Sequence, residues 1–450
     1  MSLYSYFRIS KPSARKVPAG EVDATYRRLR SRTFWGVTVA YTLYYVCRMT
    51  LGVVKQPLID GGVLTAGQLG VIGSAFYFVY ALGKFSNGFI ADYCNIRRFM
   101  AAGIGISALV NVVLGIMGLL NGPLGFGSVV MLVTFTLFWG VNGWAQSMGS
   151  PPGTISLSRW FPLSMRGRYY SIFSSTPQLG KAVSMMMTGF IVAAAGWQWG
   201  FIAAAVAGFI GFAASVFFIA DTPESQGLPS VQELSGEETR PIDKKPTREL
   251  QKWVFRHPGI WVIAISTAFL YITQHAVSDW GVLFLQKQKG FSLERATQVI
   301  GLAEFFGVAG NLAAGWISDV LLKGNRVRPV VISGIMAVCS LAAFLFLGGG
   351  FWGNMAFVAV FSFAFSVVFC IVAGLMALDF VPRKATGAAL GIVGISSYAA
   401  AGLQSVVSGF LIQGNTLDGA YNFTPVSIFW IVACFLAFTL PVLGWKYLRK

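Results

Sequence analysis

Gly88-Phe-Ile-Ala-Asp92, with Arg97 and Arg98 close behind, returns later as Gly315-Trp-Ile-Ser-Asp319, with Lys323 and Arg326 close behind. The copies start at 88 and 315, an offset of 227. A second echo pairs Arg166-Gly167 with Thr386-Gly387, at an offset of 220. Two unrelated motifs at nearly one spacing point to duplication, and so to two like halves around a shared centre.

Outward from these motifs the chain is apolar. Hydrophobic residues are 55% of 450 and charged ones 11%, against about 25% charged in an ordinary soluble domain. Apolar runs of bilayer length recur between short polar connectors, among them 33–54, 100–120, 199–220 and 427–443. The reading is an all-α membrane protein with twelve transmembrane helices in two pseudo-symmetric six-helix halves. The segments run approximately 33–54, 66–91, 98–120, 126–150, 167–195, 199–220, 259–285, 295–319, 328–348, 353–378, 385–412 and 424–446. The expected organisation is a basic tail (1–32), an N-terminal half (33–220), a proline-rich polar linker (221–258) and a C-terminal half (259–450).

Charge orients the chain. With the N-terminus inside, 27 of the 34 Lys and Arg fall on inside connectors and only Lys55, Lys287, Lys289 and Arg295 on outside ones. That split is a positive-inside signal. The net charge of +17 therefore reflects topology and not nucleic acid. The tail lacks an apolar core and a cleavage site. A multi-pass protein of a bacterial inner membrane is expected, with both termini cytoplasmic. Cys47, Cys94, Cys339, Cys370 and Cys434 show no metal-ligand or redox spacing and read as core residues.

Ionisable side chains at bilayer depth mark function. Arg48, Lys84, Lys181 and Glu304 qualify, with Asp279 nearer an outer end. A rise of about 1.5 Å per residue puts Arg48 and Glu304 about 22 Å in from the inner side, Lys181 about 20 Å and Lys84 about 12 Å. Three cations against one deep anion call for an anionic guest. Tyr44 precedes Arg48 by four residues and Tyr80 precedes Lys84 by four, so each pair shares a helical face. A guanidinium fork matches phosphate oxygens. A buried Arg48–Glu304 ion pair is the structural alternative.

The paired Gly-x-x-x-Asp loops resemble the signature of the major facilitator superfamily. That resemblance implies a conformational latch for Asp92 and Asp319 with Arg97 and Arg98. Tyr44-Tyr45-Val-Cys-Arg48, Tyr80-Ala-Leu-Gly-Lys84-Phe85, Gly143-Trp-Ala-Gln146-Ser-Met-Gly149-Ser-Pro151-Pro152, Asp279-Trp280 and Glu304 sharpen it. So do Tyr26-Arg27-Arg28-Leu29-Arg30 and Gly324-Asn325-Arg326. Across nearly the whole chain they resemble the organophosphate:phosphate antiporters, which implies that Arg48 grips phosphate with help from Lys84. Two departures stand out. The family's helix-seven arginine is replaced by Gln274, at an offset of 226 from Arg48. Pro177 stands where the glycerol-3-phosphate branch has a histidine, and Lys181 where glycine is usual. Lys181 is then the candidate for the charge that Gln274 lacks. His275, about 100° round the helix from Gln274, is a further candidate ligand, and Glu304 is a pairing or gating partner.

The expected activity is exchange of a phosphorylated metabolite, of the hexose phosphate or glycerol-3-phosphate class, for inorganic phosphate. Closing an empty cationic site desolvates unpaired charge, which a bound anion relieves. The alternatives are a membrane sensor of hexose phosphate working with a kinase, and a transporter of a non-phosphate organic anion. An enzyme would need a nucleophile and base or a metal cluster, whereas the two histidines are His257, in the linker, and His275. There is no nucleotide-binding Gly-x-x-x-x-Gly-Lys-Ser/Thr loop. No cofactor or metal is expected. The partners are the anions and the lipid bilayer, and the protein is expected to be monomeric.

Overall fold

The computed structural model describes residues 6–91, 93–235, 254–317, 326–376, 386–417 and 420–447. Before the polar stretch come α1 (Val22–Asp60), α2 (Ala66–Ala91), α3 (Ile96–Leu124), α4 (Ser128–Gln146), α5 (Ser150–Trp160), α6 (Leu163–Ser174), α7 (Thr176–Ala195) and α8 (Trp197–Phe218). After it come α9 (Pro258–Lys289), α10 (Leu293–Trp316), α11 (Val327–Phe346), α12 (Phe351–Phe369), α13 (Thr386–Gly414) and α14 (Thr424–Leu443). A π-helical turn, Cys370–Met376, continues α12. A small hairpin pairs β1 (Thr416–Leu417) with β2 (Ala420–Tyr421).

Among the described residues, eleven helical runs are long and apolar enough to span a bilayer. α10 is as long but carries Glu294, Arg295 and Glu304; packed between α7 and α12, it is the twelfth. The fold is that of the expected twelve-helix membrane protein. The fourth span reaches further than the apolar run 126–150, because α4 and α5 form one crossing from Ser128 to Trp160. Pro151 and Pro152 open α5, and Pro177 opens α7, at first-turn positions where no N–H is required. The breaks in the fourth and fifth spans are thus proline breaks.

Polar caps and glycines set other helix ends. Asn95 Oδ1 accepts from the Arg98 N–H at 3.0 Å and starts α3. Gly290, at φ 70°, closes α9 through its N–H to the Leu285 carbonyl. Glycine also lets helices touch backbone to backbone. A Cβ on Gly143 of α4 would stand 2.3 Å from the Phe76 carbonyl oxygen of α2, and one on Gly310 of α10 equally close to that of Phe363 on α12.

At the basic end of the first six spans the chain knots itself together. The buried Asp221 carboxylate accepts from Ser10 N (2.8 Å), Ile96 N (3.0 Å) and the Arg159 guanidinium (2.6 Å). Residues 7–10 lie along the turn after α2: Ile9 N donates to the Tyr93 carbonyl and Asn95 N to the Phe7 carbonyl. Arg98 donates to the Tyr6 carbonyl at 2.6 Å and covers its ring. Arg97 is exposed beside a cavity of about 120 Å³ that Lys11 and Asp221 also line. Asp92, Asp319 and Lys323 lie outside the described residues.

Among the described residues, close glycine-mediated approaches between the two sets of six spans fall at the other end. Gly70 of α2 abuts Ser405 and Gly409 of α13, Gly67 N donates to Gln413 Oε1 at 2.7 Å, and Gly189 of α7 abuts Thr297 of α10. Asp60 and Lys287 form an ion pair there. Toward the basic end, a Cβ on Gly88, Gly391 or Gly394 would meet no atom within 4 Å.

Candidate substrate-binding site

Arg48 is placed by its own helix backbone. Asn111 of α3 and Asn142 of α4 both donate to the Cys47 carbonyl at 3.2 Å, and Gln146 of α4 donates to the Tyr44 carbonyl at 2.9 Å. Ser107 ties Asn142 to Gln146. This network holds one face of α1 against α3 and α4 and leaves the face of Tyr41, Tyr45, Arg48, Gly52 and Lys55 turned inward.

Arg48 itself is buried at 6% exposure. Its guanidinium carbon lies 4.9 Å from the ring centre of Tyr80, 5.0 Å from Phe76, 5.5 Å from Tyr45, 5.6 Å from Tyr77 and 5.8 Å from Tyr398. Among the described residues, no carboxylate lies within 4 Å of it and its Nε has no hydrogen-bond partner. Aromatic faces stabilise the cation by about 0.5–2 kcal/mol each without cancelling it. The Arg48–Glu304 pair considered from sequence is not what forms.

Glu304 instead meets Lys181, Nζ to Oε1 at 3.3 Å, across the interface of α7 and α10. Lys181 is thus already paired in this conformation, and the charge left for a guest is that of Arg48 and Lys84. Lys84 is half-buried, with Nζ 4.9 Å from the ring centre of Tyr398. Tyr80 stands as expected on the Lys84 face of α2, yet its ring also closes over Arg48. Tyr44 is a correction: its hydroxyl donates to the Met100 carbonyl at 2.7 Å, inside the α1–α3 contact. Spacing admits both Tyr44 and Tyr45 as neighbours of Arg48, and the asparagine network selects Tyr45.

Gln274 is half-buried on α9. His275 lies in a hydrogen-bonded trio with Tyr77 and Asp279. Its Nδ1 is 2.8 Å from the Tyr77 hydroxyl, which donates to Asp279 Oδ2 at 2.7 Å. The carboxylate only accepts, so the hydroxyl proton goes to Asp279 and Nδ1 carries the proton given to Tyr77. The trio links α2 to α9 on the side of Arg48 away from Lys84. Lys55, counted from sequence with the outside connectors, is 2% exposed within α1. Its Nζ lies 3.2 Å from the ring centre of Trp280.

Tyr45, Phe76, Tyr77, Tyr271 and Tyr398 complete the site. Tyr398 joins Tyr80 (4.3 Å) to Tyr271 (5.0 Å) across the two sets of spans. The i, i+4, i+7 spacing of Tyr41, Tyr45 and Arg48 was the available signal for the first.

Twelve spans, two like halves and a cationic centre between them define a membrane transporter. The Major Facilitator Superfamily pattern matches residues 37–405. The "Probable hexose phosphate transport protein" of Chlamydia pneumoniae is 32% identical over 84% of each chain. The "Glycerol-3-phosphate transporter" of Bacillus subtilis is 29% identical over 97% of this chain and 96% of its own. The "Membrane sensor protein UhpC" of Salmonella typhimurium is 27% identical over 85% of each. In three dimensions the chain is similar to an inward-facing, unoccupied bacterial homologue of the lysosomal transporter Spinster, with a TM-score of 0.69 at 16% identity over 93% of this chain and 96% of that one. The chain belongs to the organophosphate:phosphate antiporter family of the Major Facilitator Superfamily; it is a transporter-fold membrane protein and not an enzyme.

Proposed function

We propose that the protein exchanges a phosphorylated metabolite, of the hexose phosphate or glycerol-3-phosphate class, for inorganic phosphate by alternating access. The observation that carries this is Arg48: a buried guanidinium, ringed by five aromatic side chains and, among the described residues, without a carboxylate within 4 Å. Such an unpaired buried charge is costly, and a bound anion relieves that cost. A phosphate dianion takes the fork of Arg48, the ammonium of Lys84 and the surrounding tyrosyl hydroxyls. The relatives' transport of hexose phosphate and glycerol-3-phosphate supports the same class.

The conformation fits an inward-facing state in an inner membrane, with basic end and both termini cytoplasmic. Contacts between the halves 33–220 and 259–450 gather at the far end, and the Asp92 and Asp319 loops with Arg97 and Arg98 act as latches when the basic end closes. An empty site resists rocking because Arg48 and Lys84 would be desolvated unpaired. The carrier works as a monomer, with no cofactor.

The test is exchange in phosphate-loaded liposomes. Uptake of labelled phosphate should be inhibited by glucose 6-phosphate or glycerol 3-phosphate and lost in Arg48→Lys. Similarity to the sensor UhpC favours one other reading, a sensor of hexose phosphate with a kinase partner. Binding of the sugar phosphate without exchange would select it, and competition by succinate alone would select a non-phosphate anion.

A further inference from the structure

Lys55 is a charge that the exchange reading does not use. It lies seven residues after Arg48 on the same face of α1, about 10.5 Å further along the helix. It is 2% exposed, and among the described residues it makes no ion pair or hydrogen bond. What covers it comes from the other half: the face of Trp280 at 3.2 Å. Between Lys55 and Arg48 lies a small cavity of about 20 Å³, room for one water. Tyr77, Asp279 and Ser405 are among its walls. Arg48 Nε and Ser405 Oγ, both buried and unpartnered, belong to that lining.

The walls divide by half. Arg48, Lys55 and Tyr77 stand on α1 and α2, while Asp279 and Ser405 stand on α9 and α13, and the Trp280 that covers Lys55 from outside the lining is also on α9. When the halves part at this end, Lys55 leaves the indole and the neighbourhood of Asp279 and becomes an open ammonium one step outside Arg48. We infer that Lys55 is an anion-capture site of the outward-open state, which takes phosphate or a phosphate ester from the outer side and passes it to Arg48. In the closed state the indole and Asp279 compensate the charge; in the open state the arriving anion does. The inference rests on the exchange reading for the identity of the anion.

The test compares the two faces of the reconstituted carrier. Lys55→Met keeps the packing on Trp280 and removes the charge. The half-saturating phosphate concentration at the outer face should rise about tenfold, as for one lost charge-assisted contact. That at the inner face should change less than twofold, and Lys55→Arg should restore most of the loss. Equal shifts at both faces, or no shift, overturn the inference. A second measurement needs no turnover: acylation of Lys55 by a membrane-impermeant amine reagent from the outer face, read by mass spectrometry. Phosphate or glucose 6-phosphate should slow it several-fold. A Lys55 that never reacts, or that reacts equally with phosphate, glucose 6-phosphate or succinate present, overturns the inference whether or not the protein exchanges phosphate.

Discussion

Arg48 keeps its charge in company that cannot neutralise it. Rings at 4.9 to 5.8 Å stabilise a cation through their faces, so the guanidinium stays available to a guest. Arg48→Lys keeps the charge and loses the fork; phosphate affinity should fall about 30-fold, by calorimetry on protein that still elutes as a monodisperse peak. Lys181 needs a different design. Removing it alone strands Glu304 in a buried pair (5% and 14% exposed side chains). Lys181→Ala should therefore lower stability by about 3 kcal/mol, seen as earlier thermal unfolding. The double variant Lys181→Met with Glu304→Leu should unfold near wild type. Loss of exchange in the double variant, and not in the single one, would report on transport. The charges were legible as sequence because each interrupts an apolar run. The tyrosines were not, since the choice between Tyr44 and Tyr45 depends on which side of α1 meets Asn111 and Asn142. Lys55 was hidden by its nearness to the turn after Asp60, where a lysine ordinarily reaches water.

Elements are held by small residues and by the strap at the basic end. A Cβ at Gly143 collides with the Phe76 carbonyl, and Phe76 lies against Arg48. Gly143→Ala should push α2 away from α4, cost about 1–3 kcal/mol and loosen phosphate binding together with thermal stability. The segment around Arg8 covers Cys94, and burial pushes the Cys94 thiol up. The thiolate is the reactive form, so maleimide labelling at neutral pH should be slow and should keep rising with pH past the point where a free thiol levels off. Deleting residues 1–16 should speed it about tenfold. The helices themselves were legible from apolar length. The far end of the fourth span was not, because Pro151-Pro152 signals a stop in sequence and a fresh start in space.

At the scale of the molecule, the contacts that the described residues make between the halves are tightest at the end away from the basic loops. Ser405 Cβ lies 3.4 Å from where a Cβ on Gly73 would stand, close to the separation a disulfide spans. Oxidised Gly73→Cys with Ser405→Cys should bind phosphate from the inner side, fail to exchange it, and recover on reduction. Duplication was legible in the echo of Gly88–Asp92 by Gly315–Asp319. Which end is closed could not be read, because small residues at α2 and α13, such as Gly70 and Gly409, mark a close contact only once the two helices are placed together.

The pairing of Lys181 with Glu304 has a consequence for membrane voltage. On the exchange reading proposed above, with that pair neutral and Lys55 facing Asp279 across one cavity, an empty carrier would move the charges of Arg48 and Lys84 alone. Each elementary charge crossing the full field is worth about 2.3 kcal/mol per 100 mV. On that reading a dianionic guest would cancel both, so the loaded carrier would turn over electroneutrally and the potential would act on the empty one. A negative interior would then hold an unloaded carrier facing the cytoplasm, ready for a substrate from inside.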